Sequence, residues 1–394
     1  MIHYKIPSDW IRFQLNQVLN ELVIAKAAIL SLRNLPYQKS WVQDLHQMEL
    51  KREIAGTSKI EGADFTENEF DAALRDSPEE LITRSQRQVH AAMQTYNWIS
   101  HIPDDKPLDE NLIKDIHRRI VFKADDDHCV AGEIRHQNDN VNFGQPRHRG
   151  AEGGNECKEA LSGLVQAINT EYKKYDPLIQ ALAAHYHLAA MHPFLDGNGR
   201  TARAVEALLL QRAGLRDICF IAMSNYYYDE KINYLKSLSE VRAADYDLTS
   251  FIKFGLTGIE IQSRRVLQEI QVNVSKAVYR NLMFDLFKRL KTSKQRIVSV
   301  RQIEILKFLL ENNRVDLDQI FNRLYNHIYK GLKNPEKAII RDLNSLIALG
   351  AINYKRTNDN QIFSPRLEWP MEITHSEFFE LIKKMPKAKT PVSF

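Results

Sequence analysis

The chain has 394 residues, of which 44% are hydrophobic and 26% charged, and its formal net charge is +4 at pH 7. This balance is typical of a globular protein of roughly two to three domains and excludes a largely disordered chain, a collagen and a coiled-coil rod. The cysteines (Cys129, Cys157 and Cys219) lie far apart without a CxxC pair, so we expect neither a disulfide framework nor a zinc cluster. We expect a cytoplasmic protein, because we find neither a secretory signal nor a run approaching the roughly 20 apolar residues of a membrane span.

The charge is unevenly distributed along the chain. Residues 285–394 contain 20 Lys and Arg against 12 Asp and Glu, a balance of +8, so residues 1–284 carry −4. An acidic body with a basic tail suggests units with different partners. We divide the chain into an N-terminal helical region (1–105), a central core (106–284) and a C-terminal domain (285–394).

The pattern of apolar residues predicts a mostly helical protein, in the all-α class. A helix is predicted around 41–62, and Gly62 is of the residue type that ends helices as a C-terminal cap. Further along, Ile113, Ile116 and Ile120 recur at helical spacing. The helical pattern is therefore present on both sides of the first domain boundary.

Residues 130–150, VAGEIRHQNDNVNFGQPRHRG, differ from the rest because they contain glycines and a proline but no helical period. One interpretation is a surface loop. The other is a hairpin or flap, in which Ile134 and the segment 141–143 form short strands around a polar turn. The local sequence does not decide between them.

The segment from His192 to Arg203, HPFLDGNGRTAR, joins two helical stretches. Pro193 disfavours the α conformation at the residue before it, so the first helix is predicted to end at His192. The Asp-Gly-Asn-Gly loop feeds the start of the second helix, where backbone N–H groups and the helix dipole create an anion site. Arg200 and Arg203, three residues apart, add two guanidinium groups suited to a polyphosphate.

Two further side chains of this segment supply chemistry. The carboxylate of Asp196 could hold Mg²⁺ against phosphate oxygens. His192 is the nearby group that can take a proton near neutral pH. The segment therefore predicts a phosphate site with a base and a metal ligand.

The same segment partly fits a dinucleotide-binding fingerprint. Gly197, Gly199 and Ala202 have the required spacing, and Asp217 lies 20 residues beyond Gly197. That fingerprint requires a preceding strand within a βαβ unit. The preceding segment is helical, so this interpretation is disfavoured.

At every defined position the segment matches HxFx(D/E)GNGRxxR, and on this motif the chain resembles the Fic family over roughly residues 41–255. The resemblance implies an all-helical, Fic-type core with a small β-hairpin flap over the site. It also implies transfer of AMP from Mg-ATP to a hydroxyl side chain (Ser, Thr or Tyr) of a target protein. A protein adenylyltransferase, a nucleotidyltransferase that uses Mg²⁺ or Mn²⁺, is thus the leading hypothesis.

The resemblance also implies roles for single residues. His192 would be the catalytic base and Asp196 the metal ligand, while Phe194 would anchor the loop in the core rather than act chemically. The residues assigned to nucleotide binding are Phe194, Gly197, Asn198, Gly199, Arg200, Arg203 and Tyr234. Among them, Arg200 would neutralise phosphate charge, Arg203 would hold the γ-phosphate and Tyr234 would contact adenine. The residues assigned to a flap that docks the target by main-chain pairing are Gly132, Arg135, Val141 and Asn142.

A second motif lies at the end of the predicted helix 41–62. Thr57, Glu61 and Gly62 match the inhibitory motif of the family, (S/T)xxxE(G/N). By resemblance, Glu61 would pair with Arg203 and take the place of the γ-phosphate. A carboxylate in an anion site competes with the anion, so the resemblance implies a self-inhibited enzyme.

The basic tail has the order helix, helix, helix and hairpin, which is the order of a winged-helix-like domain. Its third helix is predicted from Pro335 to Leu349, with Lys337 and Arg341 facing outward. This basic face suits DNA. Docking of a target protein or of a second subunit is the other interpretation.

Alternatives remain open at this stage. The same site could transfer another nucleotide or remove AMP, with Glu61 positioning a water molecule. From a different class, the chain could be a transcription regulator whose core senses a nucleotide and whose tail binds DNA. The partners we consider are ATP, a target protein, the chain itself as a substrate, a homodimer and DNA, but no membrane.

Overall fold

The computed structural model describes residues 2–34, 39–125, 127–144, 146–215, 220–288, 293–356, 360–374, 376–378 and 380. The chain divides into two compact units, Met1–Gln268 and Glu269–Phe394. This division falls inside one long helix, Thr249–Lys288, whereas the sequence placed a boundary at residue 284. Cys219 and Asp217 lie outside the described residues.

The first unit is built from helices, in agreement with the predicted all-α class. Their bounds are α1 Leu15–Arg33, α2 Lys39–Ile60, α3 Glu67–Arg75, α4 Arg84–Ser100, α5 Glu110–Val121, α6 Asn155–Asn169, α7 Pro177–Met191, α8 Asn198–Leu210, α9 Met223–Asp229, α10 Lys231–Ala243 and the first part of α11 Thr249–Lys288. Short 3₁₀ turns lie at Pro78–Glu80 and Glu171–Lys174, and a π turn follows α8 at Gln211–Leu215.

Helix α7 forms the centre of this unit. From Leu178 to Met191 all its side chains except that of Gln180 are buried, because Ala and Leu dominate the segment on every face. It packs against α6 and α8, and α8 in turn packs against α5 and α2. The two helices that flank the motif loop are therefore the best-packed pair in the unit.

Helix α1 contradicts the expectation that no segment is long and apolar enough to span a membrane. It is the candidate found among the described residues that is long and apolar enough, by length and composition, to cross a membrane, whereas the sequence analysis found no such segment. In this structure one side of the helix, including Val18, Leu22 and Ile29, is buried within the first unit.

The segment 130–150 contains a small hairpin, as one of the two interpretations predicted. Strand β2 Asn142–Phe143 pairs antiparallel with β3 His148–Arg149. Strand β1 Ile2–His3, which was not predicted, adds to β3 in parallel. Ile134 is buried but lies in irregular structure, so its assignment to a strand is wrong.

The second unit contains the end of α11 and a helical cluster with a small sheet. Its further helices are α12 Ser293–Asn312, α13 Leu317–Leu324, α14 Pro335–Ala348 and α15 Trp369–Glu372, with a π turn at Tyr325–Tyr329. Strands β4 Val315–Asp316, β5 Ile352–Arg356 and β6 Gln361–Pro365 form an antiparallel sheet in the order β4-β6-β5. The helices and the hairpin follow the predicted order, and the winged-helix assignment stays a prediction.

Candidate active site

Helix α7 ends in a left-handed residue at the head of the motif. His192 has φ 50° and ψ 64°, and Pro193 follows it, as the sequence predicted for the end of the helix. The buried Arg135 guanidinium donates to the backbone oxygens of His192 (2.8 Å) and Ala151 (2.5 Å). A non-glycine residue in this conformation is costly and is kept by its surroundings, which is common at functional sites.

The imidazole of His192 is fixed in one tautomer. Its Nδ1 lies 2.5 Å from the backbone oxygen of Ala189, and since a carbonyl only accepts, Nδ1 carries the proton. The ring stacks on Phe143 with centroids 3.6 Å apart and planes 8° apart. Burial lowers the pKa of His192 to about 4. At neutral pH the ring is therefore uncharged, and Nε2 has a free lone pair that can accept a proton.

The loop after His192 is held by its own side chains. The Phe194 N–H donates to Asn198 Oδ1 (2.9 Å), and Asn198 Nδ2 donates back to the Phe194 oxygen (2.8 Å). Phe194 is fully buried and stacks on His117, with centroids 3.7 Å apart. The burial of Phe194 agrees with its expected role as an anchor in the core, its assignment to nucleotide binding stays a prediction, and the side chain of Asn198 shapes the loop.

Two glycines allow the backbone of this loop to pass close to its neighbours. Gly197 has φ 73°, and a Cβ there would lie 2.6 Å from Val121 Cγ1. At Gly199 a Cβ would overlap Glu61 Oε1. Only glycine leaves room for a carboxylate at the N-terminus of α8, where the helix dipole favours negative charge.

Arg200 is buried and already paired. Its Nη1 lies 2.5 Å from Asp125 Oδ2, and its Nη2 lies 3.4 Å from Asp196 Oδ1. Asp125 also accepts from Arg84 Nε (2.8 Å) and Gln88 Nε2 (2.9 Å). Burial by itself would raise the pKa of Asp125, but the charge of Arg200 and these hydrogen bonds hold it below its usual value. The sequence analysis did not identify Asp125 as a site residue.

Arg203 is also buried, but its partners belong to α2. Its Nη2 lies 2.6 Å from Glu61 Oε1, and its Nε donates to Thr57 Oγ1 at 2.9 Å. Nη2 also lies 3.3 Å from the Thr57 backbone oxygen. Burial would raise the pKa of Glu61, but the charges of Arg203 and Arg200 more than offset it, so the pKa lies below its usual value. The structure thus brings together Arg203, Thr57 and Glu61.

The end of α2 places Glu61 at this point. Gly62, at φ 91°, donates to the Lys59 oxygen (3.1 Å), and Ala63 donates to the Ser58 oxygen (3.1 Å). These two bonds form a Schellman motif, which ends a helix at a glycine. Glu61 is therefore the last residue before the cap, and 32% of its side chain is exposed.

Tyr234 is buried rather than exposed to a ligand. Its hydroxyl lies 2.9 Å from His185 Nε2, and its ring stacks on Tyr227 with centroids 4.6 Å apart. The other nitrogen of His185 bonds to the Glu206 carboxylate, which also accepts from the Tyr227 hydroxyl at 2.9 Å. Burial raises the pKa of Tyr234 to about 12, although the charge of Arg203 lowers it. The assignment of Tyr234 to adenine binding stays a prediction.

Two of the four flap residues are anchors. The Gly132 N–H donates to His117 Nδ1 (2.9 Å), whose Nε2 donates to the Asp196 oxygen (3.0 Å). The side chain of Arg135 is buried against backbone oxygens, and its part in target docking stays a prediction. Val141 accepts from the Gly150 N–H (3.2 Å).

Asn142 is the first residue of strand β2 and is exposed. It pairs with β3, and the flap is otherwise polar. Target docking through Val141 and Asn142 stays a prediction.

Asp196 lies at the mouth of the site with 34% of its side chain exposed. Its Oδ1 accepts from the Gly197 N–H (2.5 Å), and its Oδ2 lies 3.3 Å from Arg84 Nη2. Among the described residues no group of three or more His, Cys, Asp or Glu could hold a metal. A single accessible carboxylate still fits Mg²⁺, because this ion is usually bound by one or two carboxylates together with substrate phosphates.

The Fic/DOC family model matches residues 107–210. Over 113 residues the chain is 38% identical to "Protein adenylyltransferase fic-1" of Caenorhabditis elegans, which covers 28% of this chain and 21% of that protein. Over 151 residues it is 31% identical to "Protein adenylyltransferase Fic" of Drosophila willistoni, covering 37% of this chain and 27% of that protein. The chain thus spans only about a quarter of the length of these relatives.

Solved structures with a similar fold extend the comparison. A fragment of Fic-1 from C. elegans superposes with a TM-score of 0.54 at 20% identity, covering 65% of this chain and 74% of that one. A Fic family protein from Desulfovibrio desulfuricans G20 superposes with a TM-score of 0.55 at 17% identity, covering 92% and 98%. These identities show the fold alone. The motif lies within the part of the chain, residues 107–210, that matches the Fic/DOC family model.

Proposed function

We propose that the chain is a protein adenylyltransferase that transfers AMP from ATP to a hydroxyl side chain of a target protein. The proposal is supported by the names of the curated relatives and by the match at every defined position of the motif. It is also supported by a neutral histidine with a free Nε2 beside an anion site at the start of α8. A base and a charge clamp are what attack on a phosphate requires.

In the proposed reaction, His192 Nε2 takes the proton of the target hydroxyl. The hydroxyl oxygen then forms a bond to the α-phosphorus of ATP, while the bond from that phosphorus to the bridging β-phosphate oxygen breaks. AMP becomes attached to the target, and pyrophosphate leaves with the electron pair. The hydrogen bond from His192 Nδ1 to Ala189 keeps Nε2 as the accepting atom throughout.

Groups of this chain would neutralise the negative charge of the ATP phosphates. The N-terminus of α8 directs backbone N–H groups at the anion, and Arg203 supplies a guanidinium for the γ-phosphate. Asp196 would hold Mg²⁺ or Mn²⁺, which when bound would neutralise phosphate charge. Arg200 contributes by fixing Asp196 and Asp125 in place.

We further propose that the enzyme is self-inhibited. The observation that supports this most strongly is the contact of 2.6 Å between Glu61 and Arg203, with Thr57 bonded to the same guanidinium. Because the Glu61 carboxylate also lies over Gly199, it occupies the place where a phosphate would meet the helix N-terminus. An anion that binds there must displace it.

A labelling assay tests both proposals. Glu61→Gly should transfer radiolabel from α-labelled ATP to protein far more strongly than the wild type, because Arg203 is freed. Glu67→Gln, which removes an exposed carboxylate of the neighbouring helix α3, is the matched control and should behave as the wild type. Unlabelled GTP, CTP or UTP is then added as a competitor. A competitor that reduces the labelling more than unlabelled ATP does would indicate that another nucleotide is transferred. Absence of labelling in Glu61→Gly would refute the adenylyltransferase.

The second unit supports a separate candidate function, binding of duplex DNA. Lys337 and Arg341 are exposed on α14, as predicted, while Ile339, Leu343 and Leu346 on its other side are fully buried. Lys355 and Arg356 at the end of β5 are also exposed. A gel-shift titration of the full chain against random duplex should show binding that weakens with salt. Absence of binding at low salt would instead favour docking of a protein.

A further inference from the structure

Helix α2 is pressed against the start of α9 at one glycine. A Cβ on Gly56 would overlap the backbone N of Asn225 and lie 2.6 Å from the backbone oxygen of Ser224. Only a residue without a side chain permits this distance between the two backbones. The position of α2 along and around its axis is therefore closely restricted at this point.

Three residues before Gly56, a buried carboxylate joins the same two helices. Glu53 is 1% exposed, and its Oε2 accepts from the Ser224 N–H at 2.7 Å. Its Oε1 accepts from the Tyr96 hydroxyl of α4 at 2.9 Å and from the Ser224 hydroxyl. Each of these donors is uncharged. Burial raises the pKa of Glu53 to about 7, although the hydrogen bonds lower it.

Further contacts follow toward the end of α2. Lys231 Nζ donates to the Ile60 oxygen at 2.9 Å, and Lys59 Nζ lies 5.5 Å from the centroid of the Tyr228 ring. Glu61 follows Glu53 by eight residues, which places it about two turns further along the helix and about 80° around the axis, a fixed relation as long as the helix stays intact. Fixing α2 at Glu53 therefore also fixes the direction in which Glu61 projects.

Helix α9 supports the other half of the Glu61–Arg203 pair as well. Its Tyr227 hydroxyl donates to Glu206, which lies one turn beyond Arg203 on α8. The same Tyr227 ring stacks on Tyr234, whose pKa is raised by burial and lowered by the charge of the nearby Arg203. One short helix thus contacts both the helix that carries Glu61 and the groups that support Arg203.

From these contacts we propose that Glu53 is a positioning residue of the self-inhibited state. By accepting three hydrogen bonds from α9 and α4, it fixes the position of α2, so that the Glu61 carboxylate lies within hydrogen-bond distance of Arg203. The inference rests on the proposed self-inhibition, and it assigns to Glu53 and Ser224 a role that is separate from the motif Thr57–Gly62. A change at Glu53 should act only through Glu61.

The test combines Glu53→Gln with Glu61→Gly. The amide retains the shape of the side chain and can still accept from the Ser224 N–H, but it has no charge and only one accepting oxygen, so α2 should be held less tightly. In the otherwise native chain, labelling by α-labelled ATP should rise about tenfold, as expected for the loss of one charge-assisted hydrogen bond. In the Glu61→Gly chain, the same change should add nothing. Lys51→Ala, an exposed position on α2, is the control and should not activate.

Hydrogen exchange of the amides in residues 54–60 provides a readout independent of activity. Glu53→Gln should accelerate their exchange while the thermal midpoint stays close to that of the native chain. If Glu61→Gly labels strongly but Glu53→Gln leaves both labelling and exchange unchanged, the positioning role is wrong. A loss of labelling by Glu53→Gln in the Glu61→Gly chain would equally refute it, because the role would then be general support of the fold. If Glu61→Gly itself fails to label, the proposed function fails, and the exchange comparison alone decides the role of Glu53.

Discussion

Arg200 and Arg203 lie on the first turns of α8, and both are 2% exposed, yet they have different kinds of partner. Arg200 is paired with Asp125, a fully buried carboxylate that two further side chains hold from α4. Arg203 is paired with Glu61, whose carboxylate is one-third exposed and lies at the very end of α2. The comparison indicates that identical side chains three residues apart serve different purposes: one stabilises the site and the other can exchange partners.

The largest expected effect concerns His192. This residue is linked to the Glu61–Arg203 pair because, although burial lowers the pKa of His192, the charge of Glu61 raises it. In the Glu61→Gly chain, His192→Ala should reduce the labelling rate by about 10²–10⁴, the usual cost of losing a general base. The fold should remain, as circular dichroism can check. His128→Ala, at an exposed histidine, is the control. Undiminished labelling by the His192 variant would remove it from the reaction.

The two arginines themselves should separate activity from stability. In the Glu61→Gly chain, Arg203→Ala should lower the rate by about 10²–10³, as for loss of one group that stabilises developing charge. Arg200→Ala should instead lower the free energy of unfolding by about 3 kcal/mol, because it removes one partner of a buried pair. Urea denaturation and labelling, measured on both variants, make the comparison. Equal effects of the two variants on both quantities would contradict the division.

A variant of Asp196, which contacts Arg200, tests whether this carboxylate takes part in the reaction. Asp196→Ala should reduce labelling in the Glu61→Gly chain by about 100-fold, since loss of a metal that neutralises phosphate charge is worth several kcal/mol. EDTA should have a similar effect on the parent, and added Mn²⁺ should restore activity. Full activity in excess EDTA would show that Asp196 does not act as a metal ligand.

A smaller effect is expected from pH. Burial lowers the pKa of His192 to about 4 from an ordinary 6.5, so the base stays neutral well below pH 6.5. Labelling by Glu61→Gly should therefore fall only as the pH approaches 4. Stability should also decrease as pH falls through this window, because the unfolded chain binds the proton more readily than the folded one. A rate that halves near pH 6.5 would show that His192 titrates normally.

The sequence predicted those features that depend on adjacent residues. The end of α7 follows from Pro193, which disfavours the α conformation of the residue before it, and the end of α2 follows from Gly62, which readily adopts the left-handed conformation of a C-terminal cap. The Glu61–Arg203 pair was expected only through the family resemblance, since 142 residues separate the two.

Long-range partners explain what the sequence did not predict. Nothing near Arg200 indicates that Asp125, 75 residues earlier, would hold it. The sequence around Tyr234 is typical of either a surface or a core position. Only the packing of α7, α8 and α10 brings its hydroxyl within hydrogen-bond distance of His185. Spacing on one helix shows which residues share a face, but not which other helix lies opposite.

In the proposed self-inhibited state, Glu61 pairs with Arg203, so this guanidinium cannot bind the γ-phosphate of ATP. The most direct measurement is the affinity of wild type and Glu61→Gly for ATP and ADP, by calorimetry with the same divalent cation. The wild type should bind ATP and ADP about equally, and Glu61→Gly should prefer ATP by about tenfold, the factor expected for one additional charge-assisted hydrogen bond. Arg203→Ala in the Glu61→Gly chain should abolish that preference. An unchanged ratio of the two affinities on removing Glu61 would contradict the account.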